Sequence, residues 1–343
     1  MEAFQKSFPN VAISLREFPD ESSLFAALNS AQKWPDILTI EDSWVSKFEK
    51  NLIPAPTKLL NCDFFGRDFF PIAEQNFCSK SGKLIAVPAT ARSISMFFNS
   101  ALLRDDRITF GDAPAKTWKD FLGNAKNWRE IAEENKYFFA FSNEQKVEIF
   151  ALFLTQKKDK KVAADALQFL KFFAAENSKF STAEKLLEGF KNGEIAVIFG
   201  DEKTSQNLEK FFENPPENLL ETSLQKKFFH RETVPQFSEN QKTFGEISGW
   251  AVAKNSAESS TAWAIVKFLN ARKNLQDFFL KSGKVLANKN FVKKDDAQNL
   301  QISAAGSGLL RPDFTEIFTE NFAEFVAGKK SADEILKVFN KFF

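Results

Sequence analysis

The chain has 343 residues, 46 of them basic and 45 acidic, for a formal charge of +1. That length exceeds what one hydrophobic core usually serves, so two bodies or two lobes are expected, and the charge balance gives no electrostatic case for nucleic acid or an acidic membrane face. Two cysteines, Cys62 and Cys78, and one histidine, His230, are too few for a disulfide framework, a zinc site or a His-based triad; the cysteines can pair or stay free.

Met1–Asn10 is polar and lacks the run of about 7 to 15 apolar residues that a signal peptide needs. No stretch reaches the roughly 20 apolar residues of a membrane span. Met1–Ser7 reads as the end of a helix, and Val11–Glu17 (VAISLRE) alternates apolar and polar residues as a strand does. Leu24, Ala27, Leu28 and Ala31 share one face of a helix over Glu21–Ala31, which Asp20 or Ser22 can cap. Trp34-Pro35-Asp36 breaks that helix, and Ile37–Ile40 is a short buried strand running out into Glu41-Asp42-Ser43-Trp44. In an open α/β sheet ligands gather beyond the carboxyl ends of the strands, which makes Glu41, Asp42 and Trp44 cleft candidates. The competing reading is a helix over Trp44–Lys50 capped by Asp42 or Ser43.

Cys62–Phe77, rich in phenylalanine, reads as helix and loop packed on the body. Gly82–Leu103 reads as two strands, Lys83–Val87 and Ser93–Phe98, around a polar break at Pro88–Arg92. That break suits a ligand or a hinge, although an ordinary strand-bend-strand connection fits the same residues. Thr117 is a ready N-cap for a helix carrying Trp118, Phe121 and Leu122. Tyr137–Phe141 is a strand, and the helix over Glu144–Gln156 points its first amides at the space near Asn143.

Val162–Glu176 and Ser181–Lys191 are amphipathic helices, the second capped by Ser181 or Thr182. Glu194–Phe199 (EIAVIF) is a buried strand ending at Gly200-Asp201-Glu202, and a further helix ends at Phe212 before Asn214-Pro215-Pro216. Phe244–Ala253 is a glycine-flanked strand, Ser256 caps a helix over Ser259–Asn270, and Leu275–Lys281 continues it. The C-terminal stretch is helical, with Phe318, Phe322, Phe325 and Val326 on one face and Ala332, Ile335, Leu336 and Phe339 on another.

Helices and strands alternate without internal repeats, which gives an α/β chain. There is no glycine-rich phosphate loop, no GxSxG and no HExxH. The carboxylate pairs Asp105-Asp106, Glu133-Glu134 and Asp295-Asp296 sit in charged stretches that read as solvated faces. With 42 phenylalanines against the single Tyr137, polar recognition falls to tryptophan, amides, carboxylates and backbone.

Six stretches taken in order carry a resemblance: Phe4–Val11 (FQKSFPNV), Ala31–Trp44 with its Pro35-Asp36, Gly82–Leu103 (GKLIAVP, then MFFNSALL), Thr117–Phe121, Gly193–Phe199 and Gly249–Ala287. Together they resemble the extracellular solute-binding proteins of ABC importers, in the branch that includes maltose-binding protein. The resemblance implies an α/β, two-lobed, periplasmic-binding-protein-like fold with a cleft between lobes and several crossings, the first near Ser93–Met96. One lobe would hold residues 1–95 plus 242–292, the other 96–241 plus 293–343. It implies a binding protein and not an enzyme, with no cofactor and no metal. The partners implied are a small-molecule solute, foremost a carbohydrate, and an ABC transporter permease, with no nucleic acid. It further implies a monomer located outside the cell or in the periplasm, in some members as a membrane-anchored lipoprotein.

The family's cleft positions fall on Glu41, Asp42, Trp44, Thr90, Arg92, Asn143, Asp201, Gly249 and Trp250. Trp44 and Trp250 would stack on a sugar, and the charged and amide groups would bond its hydroxyls. Trp250 is equally readable as a core residue at a strand end, while Trp118 and Trp263 read as helix packing. Family members open with a strand leading into the first helix; this chain opens inside that helix, so either its start is truncated or the protein lives without that strand. Phe97 and Phe98 stand where the family often has tyrosine. The alternative is a scaffold on the same fold that has lost its ligand, its cleft plugged by phenylalanine.

Overall fold

A computed structural model describes residues 6–58, 61–79, 81–100, 102–103, 115–174, 177–213, 229–237, 242–271, 285–292, 300, 303–305 and 307–340. In chain order the elements used below are α1 (Glu21–Ser30), β1 (Ile37–Glu41), α2 (Pro71–Phe77), β2 (Ala86–Ser93), β3 (Ser95–Asn99), α3 (Trp118–Ile131), β4 (Tyr137–Ala140), α4 (Gln145–Gln156) and α5 (Lys160–Ala174). They continue with α6 (Ala183–Lys191), β5 (Ile195–Gly200), α7 (Glu202–Glu213), β6 (Phe229–Glu232), β7 (Thr243–Val252), α8 (Ser259–Leu269), β8 (Val285–Leu286), β9 (Ser303–Ala305), α9 (Pro312–Val326) and α10 (Ala332–Phe339).

Two sheets organise these elements, so the fold is α/β with two lobes. The first runs β1-β7-β2-β8, with β9 also pairing β7; the second runs β4-β5-β3-β6. Local signals place most helix starts. The Asp20 carboxylate accepts from the Ser23 amide at 2.7 Å to start α1, and the Thr117 and Thr182 hydroxyls cap α3 and α6 in the same way. α10 opens with a full capping box between Ser331 and Glu334.

Four local expectations are corrected. Val11–Glu17 forms no regular element and belongs to no ladder among the described residues, because alternation makes a strand only where a neighbour takes its backbone groups. Pro88–Arg92 is not a loop: it is part of β2, antiparallel to β7, with the register shifting by a bulge between Pro88 and Thr90. A bulge is where a proline without an N–H is tolerated inside a sheet. Ser256 does not cap α8; its hydroxyl donates to Asp36 at 2.6 Å, tying that turn to the Pro35-Asp36 turn. The stretch Trp44–Lys50 is three short helical turns without a side-chain cap instead of one helix. Leu275–Lys281 lies outside the described residues.

The first-lobe core packs α1, β1, α2 and β7 around Phe25, Trp34, Trp44, Phe48, Phe77 and Trp263. The second-lobe core is an aromatic cluster. Phe139 lies 4.7 Å from Phe199 and 5.0 Å from Phe173, and Trp118 lies 4.1 Å from Phe153, ring centre to ring centre. Rings at such offsets gain edge-to-face contact beyond area burial, and phenylalanine brings no hydroxyl that would need a partner there. This is where much of the skewed aromatic composition is spent. Trp118 and Trp263 are both core residues. Val326, expected on the apolar face of α9, is 39% exposed.

Among the described residues, three connections between the lobes can be followed. β2 leads into β3 through Ile94 alone, and β7 begins in the second lobe, where Phe244 is core, and ends in the first, where Val252 is core. The two passages are bonded to each other: the Ile94 amide donates to the Phe244 carbonyl at 3.0 Å and the Thr243 hydroxyl to the Ile94 carbonyl at 2.6 Å. The third runs from β9 into α9, whose Asp313 pairs with Lys47 at 3.1 Å. Residues 303–305 pair in parallel with Thr243–Gly245, the end of β7 whose Phe244 belongs to the second-lobe core.

A disulfide joins Cys62 and Cys78, with 6.1 Å between their Cα atoms, so the question left open by the sequence is answered by a strap around α2. Among the described residues no helix is long and apolar enough to cross a membrane.

Candidate functional site

A cavity of about 160 Å³ lies between the lobes. From the first lobe it is walled by Glu21 at the start of α1, Glu41 at the end of β1, Thr90 and Arg92 on β2, and Glu246 and Ser248 on β7; from the second, by Asp201-Glu202-Lys203 at the β5–α7 turn. The sheet register makes the first wall. Thr90 stands opposite Ser248 and Arg92 opposite Glu246, and alternate residues of a strand share a face. The hydroxyls of Thr90 and Ser248 bond each other.

Arg92 is the electrostatic centre of this wall. Its Nε donates to Glu246 at 2.7 Å, its Nη2 also contacts that carboxylate, and its Nη1 reaches Glu148 of α4 in the second lobe at 2.7 Å. The guanidinium therefore bridges the two lobes with a planar fork that suits two carboxylates. Burial holds the Glu246 carboxyl above the usual carboxylate range; Arg92 pulls it down, and the neighbouring charges of Asp42, Glu21 and Glu148 push it up again.

Glu202 sits beside the first crossing and is 2% exposed. The Ser93 amide donates to Oε2 at 3.0 Å, the Ser93 hydroxyl to Oε1 at 2.6 Å, and Arg231 approaches Oε1 at 3.4 Å while its Nε donates to Ser95 at 3.0 Å. Glu202 thus holds Ser93 on one side of Ile94, while Arg231, drawn to the same carboxylate, holds the Ser95 hydroxyl on the other. Burial pushes its carboxyl from 4.5 up to about 7, against the downward pull of Ser93 and Arg231. The folded chain then holds a proton more firmly than the unfolded chain between these values, so stability is greatest at the acid end and falls as pH rises through them. We expect urea denaturation to show a loss of about 3 kcal/mol from this group between about pH 5 and about pH 8, and Glu202→Gln to flatten that slope. An equal slope in the variant would place the titration elsewhere.

Of the nine positions expected from sequence, Glu41, Thr90, Arg92 and Asp201 line this cavity. The other five do not. Asp42 is buried behind the wall, its Oδ1 accepting from the Ser43 amide at 2.9 Å. Trp44 is 2% exposed and meets Phe25 edge-on at 5.2 Å, because the short turn after β1 directs it into the first-lobe core; it has no face to offer a sugar. Asn143 is exposed outside the cavity, where its Oδ1 accepts from Lys146 at 2.7 Å. Gly249 is a packing position, since a Cβ there would stand 2.6 Å from both the Phe77 ring and the Val87 carbonyl. Trp250 shares the face of Ser248 but lies farther along β7, half-buried on Ala89 and Leu286. His230 is exposed, stacked on Phe98 and within 3.1 Å of the Ser100 hydroxyl.

Sequence reasoning missed Glu21, Glu148, Lys203, Glu246 and Ser248. The signal for two of them was present: counting back in steps of two from Trp250 reaches Ser248 and Glu246. Glu148 carries no such mark, because its partner is 56 positions earlier and only the lobe arrangement joins them.

Residues 1–304 match the family model described as bacterial extracellular solute-binding protein. A comparison with curated protein sequences finds no match. Solved structures share the fold. The sugar-binding protein MalE from Xanthomonas citri superposes with a TM-score of 0.76 at 16% identity, over 99% of this chain and 91% of that one. The putative binding protein MsmE from Bacillus subtilis, in an open conformation, gives 0.74 at 16% identity over 99% and 91%. Maltose-bound MalE3 from T. maritima gives 0.71 at 15% identity over 98% and 92%. A cavity walled by both lobes, chain crossings gathered beside it and a family match over most of the length lead to one assignment: the chain belongs to the bacterial extracellular solute-binding proteins.

Proposed function

We propose that this protein, as a monomer outside the cell membrane, binds a sugar or oligosaccharide in the inter-lobe cavity and delivers it to an ABC transporter permease by hinge closure. The observation that carries the reading is that β2 and β7 of one lobe and the β5–α7 turn of the other wall a single polar cavity. A solute touching both walls binds the closed arrangement better than the open one, and that difference in affinity is what drives closure. The Thr90 and Ser248 hydroxyls and the surrounding carboxylates are the kind of groups that bond sugar hydroxyls. At about 160 Å³ the cavity is smaller than the ~300–1,000 Å³ of a drug-sized ligand site, so an oligosaccharide needs the lobes to part first. The sugar-binding and maltose-bound proteins of the same fold support the solute class. The rival, a scaffold with its cleft plugged by phenylalanine, finds no support in the described cavity lining, which holds no phenylalanine.

The test is titration with α- and β-linked gluco- and xylo-oligosaccharides, followed by tryptophan emission and small-angle scattering. Saturable binding with a smaller radius of gyration is expected for at least one of them. If none changes either signal, the saccharide reading fails.

A further inference from the structure

We infer that the cleft selects its solute by charge, accepting a neutral or amine-bearing saccharide and excluding one that carries a carboxylate or phosphate, because its arginine is neutralised from within the protein. This rests on the saccharide reading above and narrows it. A guanidinium on a cavity wall is ordinarily the receptor for an anionic group. Here Arg92 presents Nε and Nη2 to Glu246 and Nη1 to Glu148, so its donors are already directed at two carboxylates, one from each lobe. An anionic solute would have to compete with these carboxylates for the guanidinium or bring a third negative charge up beside them in a partly buried site, where Glu246 is 8% exposed.

What remains around the cavity is acidic. Among the described residues, Glu21 and Glu41 of the first lobe and Asp201 and Glu202 of the second share this lining with Glu246, and Lys203 is its other cation. Lys203 is exposed and its charge acts on Glu184 of α6. The balance of the lining is negative whether Glu202 holds its proton or not. Between the charges lie the hydroxyls of Thr90 and Ser248, which serve a hydroxylated solute at no electrostatic cost.

Isothermal titration at neutral pH with matched probes reads this directly. The probes are maltotriose and cellotriose, each as the parent sugar, as its 6-amino-6-deoxy derivative and as its 6-carboxylate derivative. For whichever parent binds, the amine should bind at least as tightly, and the carboxylate at least about tenfold more weakly, with the gap narrowing as salt is raised. Glu148→Gln removes one of the two negative charges that compensate Arg92 while keeping the shape of the side chain. It should recover several-fold of the lost carboxylate affinity, with a melting curve run alongside to show that the variant is folded. A carboxylate derivative that binds as tightly as its parent overturns the charge selection while leaving the saccharide reading intact. Carboxylate affinity that Glu148→Gln does not move overturns the role given to Arg92. If no probe of either series binds, the saccharide reading falls for these sugars and the inference falls with it.

Discussion

Phe97→Ala is expected to cost about 3–5 kcal/mol, the range for emptying a phenylalanine site in a packed core. Phe97 sits in the middle of β3, which pairs β5 on one side and β6 on the other, and it is fully buried. Its ring stacks on Phe229 at 6.0 Å and joins Ala140, Phe180, Phe190 and Ile198 in a core on one face of the second sheet, while Met96 and Phe98 point to the opposite face. Neighbours held by two ladders cannot collapse freely into the gap, which puts the cost at the upper part of that range. Urea denaturation followed by circular dichroism measures it. An unchanged midpoint would mean that β3 is not where the ring packing places it.

Arg92→Ala is the second large effect, and it goes beyond what a role in the cleft alone would give. Read as a cleft residue, Arg92 should weaken ligand binding on removal and leave stability nearly untouched. Removing the guanidinium strands Glu246 and Glu148, whose side chains are 10% and 19% exposed. A fully buried pair broken in this way loses roughly 3–5 kcal/mol; with a third of the Arg92 side chain in contact with solvent, about 2 kcal/mol is expected. Glu246, already held above the usual carboxylate range, takes up a proton more readily once Arg92 is gone. The deficit should therefore shrink as pH falls. Equal deficits at about pH 5 and about pH 8 would show that the loss is one of packing and not of charge.

The helices were legible because their signals are local. Thr117 before Trp118, Thr182 before α6, and the apolar stripe of Phe318, Phe322 and Phe325 are each read within a few residues. The strands β1, β4, β5 and β7 were legible as apolar runs bounded by breakers. What escaped was whatever depends on a neighbour far along the chain. Val11–Glu17 has the alternation of a strand without the pairing, and Pro88 has the look of a break until Gly249 is found opposite it. The site divides the same way. Glu41 and Asp201 follow strand ends, where topology puts ligand groups, and both line the cavity. Trp44 follows one too, but a single helical turn carries its ring into the core. The Arg92 fork, with one carboxylate from β7 and one from α4, exists only once three distant segments are brought together.

The bonding of the two passages at Ile94, Phe244 and Thr243 constrains how the lobes can move. Two separate threads would let one lobe swivel, slide or tilt over the other. Two backbones stitched into a ribbon resist twisting and shear, and they yield mainly to bending across their width. The proposed closing motion is thereby reduced toward a single degree of freedom. Under the proposed function, solutes of different size would stop the lobes at different points along one shared arc, so that what differs from one bound form to another is how far the cleft has shut.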